Sequence, residues 1–218
     1  MKAPHPSSTT AMIALSAAST NLLRVGAMQV PTLKVFENTA CSGKPTTLAF
    51  FPDKSCNDYN LDQCFLDGNH GYTVTCASSY KAFTDSIFGS SPYLFMELYA
   101  DGTSCGTFQS ALVYSLDGGC HSIGDTDAGT KVTLNSDNSV TIVQGTDSTC
   151  TQLDSSTSDT IASANINNNA CFEGGMKLYS NVGSTSTTAN TGTSGASSYC
   201  LAGATALVAL SAHVAVGL

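Results

Sequence analysis

The chain has 218 residues, no tryptophan, and 16 acidic against eight basic residues, a formal net charge of −8 with histidine neutral. That length holds one compact body of ordinary size or two small ones. An acidic chain without a basic cluster argues against binding nucleic acid or anionic membrane surfaces through charge, since both need lysine and arginine to meet phosphate.

The amino end carries Lys2, an apolar run from Ala11 to Leu15 continued by Ala17 and Ala18, then Leu22 and Leu23, and finally Val25-Gly26-Ala27. A basic start, an apolar stretch and small residues in that order make a secretory signal peptide, residues 1–27, with cleavage expected after Ala27. A cut after Ala18 is the second option. Arg24 interrupts the apolar segment, so a leader without signal function is the competing reading.

Residues 28–91 are expected to form a first cysteine-rich β repeat and residues 92–181 a second. Residues 32–37 and 46–51 alternate apolar and polar positions as half-buried strands do, with Gly43 and Pro45 in the turn between them. Residues 56–71 turn to Asn, Asp and Gly around Cys64, which predicts irregular structure pinned by a disulfide, and residues 71–76 read as a strand. Ser78 or Ser79 then caps a helix over residues 80–88, where Ala82, Phe83 and Ile87 recur at helical spacing and Gly89 supplies a stop. A strand over 93–99 opens the second copy. Further on, residues 132–134 and 140–143 predict a hairpin with Asn135 and Asp137 as left-handed turn residues. Residues 151–169, rich in Ser, Thr, Asp and Asn, predict a loose surface excursion, and residues 176–180 a last strand.

The repeat rests on self-similarity. At a shift of 64 residues Thr39, Cys41, Leu48, Asp53 and Cys56 fall on Thr103, Cys105, Leu112, Asp117 and Cys120, with Thr46/Ser110 and Phe50/Tyr114 between them. Leu33-Lys34-Val35-Phe36 matches Met96-Glu97-Leu98-Tyr99 one residue out of phase, and Met176-Lys177-Leu178-Tyr179 is a third such run without the cysteine pair. The expected fold is therefore mainly β and disulfide-rich, two tandem small antiparallel β units with one short helix near residues 79–88.

Residues 182–200 are dominated by Ser, Thr and Gly, the composition of a flexible or O-glycosylated stalk. Residues 201–218 form an uncharged apolar tail. Following a polar spacer, such a tail is the signal for a glycolipid anchor, with Asn190 as the attachment residue and Ser194 next; a retained membrane helix is the alternative. Of nine cysteines, Cys200 lies in the part that anchor attachment removes. The remaining eight allow about 105 connectivities. Equivalent bridges within each copy are the economical choice, which gives Cys41–Cys56, Cys64–Cys76, Cys105–Cys120 and Cys150–Cys171. No Asn-x-Ser/Thr sequon occurs, so N-linked glycan is not expected.

Candidate chemistry is thin. Asp125-Thr126-Asp127-Ala128-Gly129 opens like a calcium loop but lacks the third acid and the closing Glu, so a solvated turn is expected. His70 and His121 are read as surface residues, because the cysteines that could join them on zinc are better used as disulfides. Gly192-Thr193-Ser194-Gly195-Ala196 lacks the last glycine of a nucleophile elbow and lies in the stalk. Asp53, Asp117, Glu97 and Asp101 could supply a carboxylate pair, but two of them already have turn roles. Tyr59, Tyr72, Tyr80, Tyr93, Tyr99, Tyr114 and Tyr179 could stack on sugars, though most sit at strand positions where core packing accounts for them. No catalytic residue, metal or cofactor is assigned.

Cys105 to Cys120 with the preceding MELYADGTSC, together with SSYKAFTDSIFGSSPYLFMELY, resembles the small cysteine-rich repeats of oomycete secreted and cell-surface proteins. Similar repeats form the ectodomains of that lineage's tyrosine-kinase-like receptor kinases. The likeness covers roughly residues 33–180 and implies an extracellular, non-catalytic module; no kinase follows in this chain. The expected function is an exported, membrane-anchored surface domain that binds an extracellular protein or glycan or serves as a coat. A soluble secreted effector or inhibitor is the first alternative and a wall-polysaccharide hydrolase the second.

Overall fold

The computed structural model describes residues 29–100, 104–122, 128–172 and 174–182. The expected signal peptide, Asn190, Ser194, Cys200, the apolar tail, Asp101 and the Asp125-Asp127 turn lie outside the described residues. Among the described residues no helix is long and apolar enough to cross a membrane.

The fold is mainly β. Among the described residues eleven strands run in chain order: β1 (Val30–Phe36), β2 (Thr47–Phe50), β3 (Phe65–Asp67), β4 (His70–Ala77), β5 (Tyr93–Tyr99), β6 (Phe108–Ser115), β7 (Cys120–His121), β8 (Thr130–Leu134), β9 (Val140–Gln144), β10 (Asp159–Ile161) and β11 (Met176–Ser180). Among the described residues one α-helix, α1 (Tyr80–Phe88), lies between β4 and β5. It starts where Ser79 accepts a hydrogen bond from Ala82 N–H at 3.4 Å and ends at Gly89, whose φ of 58° stops the spiral.

Seven strands form an antiparallel sheet in the order β11-β5-β6-β2-β1-β4-β3, and β10-β9-β8-β7 form a second. The large sheet is buried on both faces, so its strands carry apolar residues at successive positions as well as alternate ones. One face meets the small sheet: Leu33, Val35, Ala49, Leu112 and Met96 pack with Val132, Ile142 and Ile161. The other lies under α1, where Phe50 takes the rings of Tyr80 and Phe83 edge-on at 5.3 and 6.2 Å.

Both expected segments feed the same sheet, because β2 pairs β6 directly, Phe50 opposite Ala111 and Thr47 opposite Tyr114. The ladder fixes the strand correspondence at 63 residues, not 64: Leu33 faces Ala49, and Met96 faces Leu112. The shift of 64 sets Leu48 against Leu112, and these point to opposite faces, Leu48 under α1 and Leu112 between the sheets. Side chains alternate with period two, so a one-residue slip exchanges faces. The cysteines keep the shift of 64, and the β5–β6 ladder has a register irregularity between Leu98 and Tyr99.

The four disulfides are Cys41–Cys64, Cys56–Cys76, Cys105–Cys171 and Cys120–Cys150, so none of the expected pairings Cys41–Cys56, Cys64–Cys76, Cys105–Cys120 and Cys150–Cys171 forms. The reason is strand length. Cys41 precedes β2 and Cys56 follows it, and Cys105 and Cys120 bracket the eight-residue β6 in the same way. A strand rises about 3.3 Å per residue, so its two ends lie well beyond the reach of a cystine. Cys41 and Cys105 instead reach back to the cysteine that precedes the return strand, Cys64 before β3–β4 and Cys171 before β11. Cys64 and Cys171, which have no sequence counterpart, thus occupy matching places.

Three smaller expectations change. Residues 151–169 supply β10 and the core residues Ile161 and Ile166 instead of a loose excursion. Residues 56–71 hold a short 3-10 turn, Cys56–Asp58, capped by Ser55, and the edge strand β3. In the β8–β9 hairpin the left-handed residue is Asn138, φ 62°, not Asn135 or Asp137. Asn135 donates to Ser139 and Thr141 side chains, while Asp137 accepts from Ser139 N–H, so both are held by side-chain bonds in ordinary backbone.

Candidate functional site

Glu97 is an acid set inside a strand. It lies on the helix-side face of β5 between Phe95 and Tyr99, opposite Lys177 of β11. The period of two puts Tyr99 beside it on the same face, and the ladder puts Tyr179 on the diagonal. Tyr99 donates its hydroxyl to Glu97 Oε2 at 2.7 Å. The Tyr179 hydroxyl lies 3.4 Å from the same oxygen and 2.9 Å from Asn169 Oδ1.

Rings continue outward from this carboxylate. Tyr99 packs edge-on to Phe108 at 5.8 Å, Phe108 stacks tilted on Tyr80 at 5.2 Å, and Lys177 Nζ sits 5.3 Å above the Tyr99 ring. All six side chains are half-buried. Burial, reinforced by the negative charge of Glu97, pushes the Tyr80 and Tyr179 hydroxyls upward, so both stay protonated at neutral pH. A strip of apolar ring faces with a carboxylate acceptor, phenolic donors and an ammonium is equipped to hold a ligand with both C–H and O–H surface.

The second polar cluster is built on His121. Its ring is 1 % exposed, which corrects the expectation of a surface histidine. Nδ1 lies 2.8 Å from Glu37 Oε1, just past β1, and Nε2 lies 3.0 Å from Asp117 Oδ1, in the turn after β6. Asp117 Oδ1 also accepts from Gly119 N–H at 2.8 Å. Burial alone would lower the imidazole's affinity for a proton, but the two carboxylates outweigh it and hold the ring above its ordinary value. Asp117 is held below the usual carboxylate range by the Gly119 and Ser115 hydrogen bonds and by His121, against the cost of its burial.

The remaining sequence candidates separate. Asp53 pairs with its neighbour Lys54 at 3.0 Å, so Asp53, Asp117 and Glu97 each serve different partners. His70 begins β4, half-buried, with its ring 6.5 Å from Tyr72. Tyr72, Tyr93 and Tyr114 are core residues; Tyr59 is half-buried against the inter-sheet core. Among the described residues no group of three or more His, Cys, Asp or Glu is arranged to hold a metal ion. Two signals in the sequence pointed to what was missed: a charge within the apolar run Phe95-Met96-Glu97-Leu98-Tyr99, and Asp117 four residues before His121.

Four disulfides stapling a mainly β body are the build of a protein matured in an oxidising, extracellular or secretory, environment. Comparison with protein-family models, curated proteins and solved structures finds no match to this chain.

Proposed function

We propose that this chain is an exported domain held at the outer cell surface, and that it binds an extracellular glycan through the face of β5 and β11 built around Glu97. The observation that carries the binding role is the convergence of the Tyr99 and Tyr179 hydroxyls on Glu97 Oε2, next to Lys177 and in line with the rings of Phe108 and Tyr80. The disulfides, the leader-like start and the apolar tail support export and anchorage, with Asn190 or Ser194 taking the glycolipid. The resemblance to oomycete surface repeats agrees with a non-catalytic module. In this reading the two half-sheets are tandem copies, of which only the second carries the tyrosine face: the 63-residue shift that sets Leu33 on Met96 places Lys34 where the other half has Glu97.

The test has two arms. Intact mass of the protein from membranes, before and after phosphatidylinositol-specific phospholipase, should show a chain that starts near Met28 and ends near Asn190 with a glycolipid. Release into the medium without phospholipase would instead favour a soluble effector or inhibitor. Binding to wall polysaccharides should fall at least tenfold in Glu97→Gln and Tyr99→Ala while Lys54→Ala, on the turn after β2, leaves it unchanged. Equal loss in all three, or turnover of the polysaccharide, would sink the binding-face reading.

A further inference from the structure

His121 joins the two sheets at a point that no disulfide secures. It ends β7, the first strand of the small sheet, while Glu37 follows β1 of the large sheet and Asp117 belongs to the turn between β6 and β7. The neighbouring Cys120 is bonded to Cys150, on the small-sheet side of the molecule, and Cys105–Cys171 ties down only the segment before β11. The described front edge of the small sheet meets the end of β1 through this imidazole, and meets β6 through the hydrogen bond between Tyr114 and the Thr130 side chain.

Both ring nitrogens face carboxylate oxygens. An ionised carboxylate only accepts hydrogen bonds, so each nitrogen must donate, and only the imidazolium has two N–H groups. The neutral ring can satisfy one carboxylate and must turn a lone pair toward the other, in a site where a 1 % exposed ring has little access to water. We propose that the Glu37–His121–Asp117 triad is a proton-operated clasp that fastens the β6–β7 turn and β7 to the end of β1, and that it lets go when the medium turns alkaline.

The described charged groups around the ring are few. The large sheet contributes Glu37, the turn contributes Asp117, and β8 carries Lys131 opposite Cys120, with the neutral Thr130 opposite His121. Tyr114 of β6, hydrogen-bonded to the Thr130 side chain, is pushed up to about 12 by burial and stays neutral through the relevant range. The sign follows from linkage. A histidine held above its unfolded value contributes fully below that value, 6.5, and loses its contribution as pH rises through the folded one. Asp117 is held down, so its half of the clasp persists below the ordinary carboxylate range.

The experiment uses the full purified protein with ¹³C-labelled histidine. The His121 ring signal is followed by NMR from pH 5 to 10 alongside amide hydrogen exchange, corrected for its intrinsic pH dependence. The expected result is a ring that still carries its second proton above pH 6.5. Protection of residues 116–122 should fall at least tenfold across the same titration, with β5 unchanged. A ring already neutral at pH 6.5, or protection that stays constant while the ring titrates, overturns the proposal. Glu37→Gln should move both transitions to lower pH together; a shift of the ring titration with no shift in protection counts against the clasp. Should that variant fail to fold, the wild-type titration decides alone.

Discussion

Ala49 of β2 lies directly across from Leu112 of β6, and the large sheet reads alike in both directions from that pair. Outward from Ala49 come Leu33 and Val74; outward from Leu112 come Met96 and Leu178. The six side chains form one row across six strands, each no more than 3 % exposed, on the face that meets the small sheet. Ala49 is the small member at the centre, where the larger side chains on either side close over it.

Leu112 is therefore the position where a truncation opens a hole with neighbours on both sides. Leu112→Ala should cost roughly 2–5 kcal/mol, the range for large-to-small changes in packed cores. Ala49→Leu should cost about 1–3 kcal/mol through overpacking. Both are read from urea unfolding midpoints at constant slope. A Leu112→Ala midpoint within error of wild type would place this residue outside the core row.

The same row shows what the sequence could and could not convey. Strands β1, β2, β4, β5 and β11 and helix α1 were legible because alternation, turn residues and the Ser79 and Gly89 boundaries are local signals. The disulfide partners were not, since which end of a strand a cysteine occupies depends on strand length and on the return strand that comes home 20 or more residues later. His121 looked like a surface residue because the carboxylate that buries it with Asp117 arrives from Glu37, 84 positions earlier. Glu97 stood in plain view inside an apolar run, but only pairing with β11 brings Tyr179 and Lys177 to it.

The disulfides differ in the length of chain they close. Cys105–Cys171 spans 66 residues and Cys41–Cys64 spans 23. Loop-closure entropy then makes the double variant Cys105→Ser/Cys171→Ser less stable than Cys41→Ser/Cys64→Ser by roughly 1 kcal/mol. Denaturant unfolding of the two variants checks the order. Non-reducing peptide mapping of the wild type should return the four observed pairs, and a fragment linking Cys41 to Cys56 would contradict the arrangement.

Two glycines stand against disulfides closely enough that a methyl group cannot be added. A Cβ at Gly71 would lie 2.5 Å from Asn38 O and 2.7 Å from Cys41 Sγ. At Gly129 it would run into Cys120 Sγ and lie 3.0 Å from Cys150 Sγ. Gly71→Ala and Gly129→Ala should each cost about 2 kcal/mol or more, with free thiol detectable in the second because its Cys120–Cys150 bridge must move. Gly43→Ala meets no atom within 4 Å and bears only the strain of φ 85°, about 1 kcal/mol. Thermal unfolding with thiol titration tests the ranking; equal effects at all three positions would rule out the close approach as the cause.

Asp147 organises the turn that presents Cys150 in left-handed backbone, φ 51°. Its Oδ1 accepts from Thr149 N–H at 2.9 Å, from the Thr149 hydroxyl at 2.7 Å and from Thr151 N–H at 3.0 Å, while Oδ2 accepts from the Thr151 hydroxyl and from Gln152 N–H at 3.1 Å. Donors that favour the ionised form, the Thr151 hydroxyl foremost, hold this carboxyl well below the usual carboxylate range. A depressed acid contributes stability above its unfolded value of 3.8 and loses it as pH falls toward the folded one. Asp147→Asn replaces an oxygen by an NH₂ group that confronts two of those donors, so the variant should be less stable than wild type at pH 7. Its stability should also fall less steeply on acidification, so that the two curves converge at low pH. Parallel curves from pH 7 to pH 2 would mean that the turn is held by its backbone and by the Cys120–Cys150 bridge, with no part played by the charge on Asp147.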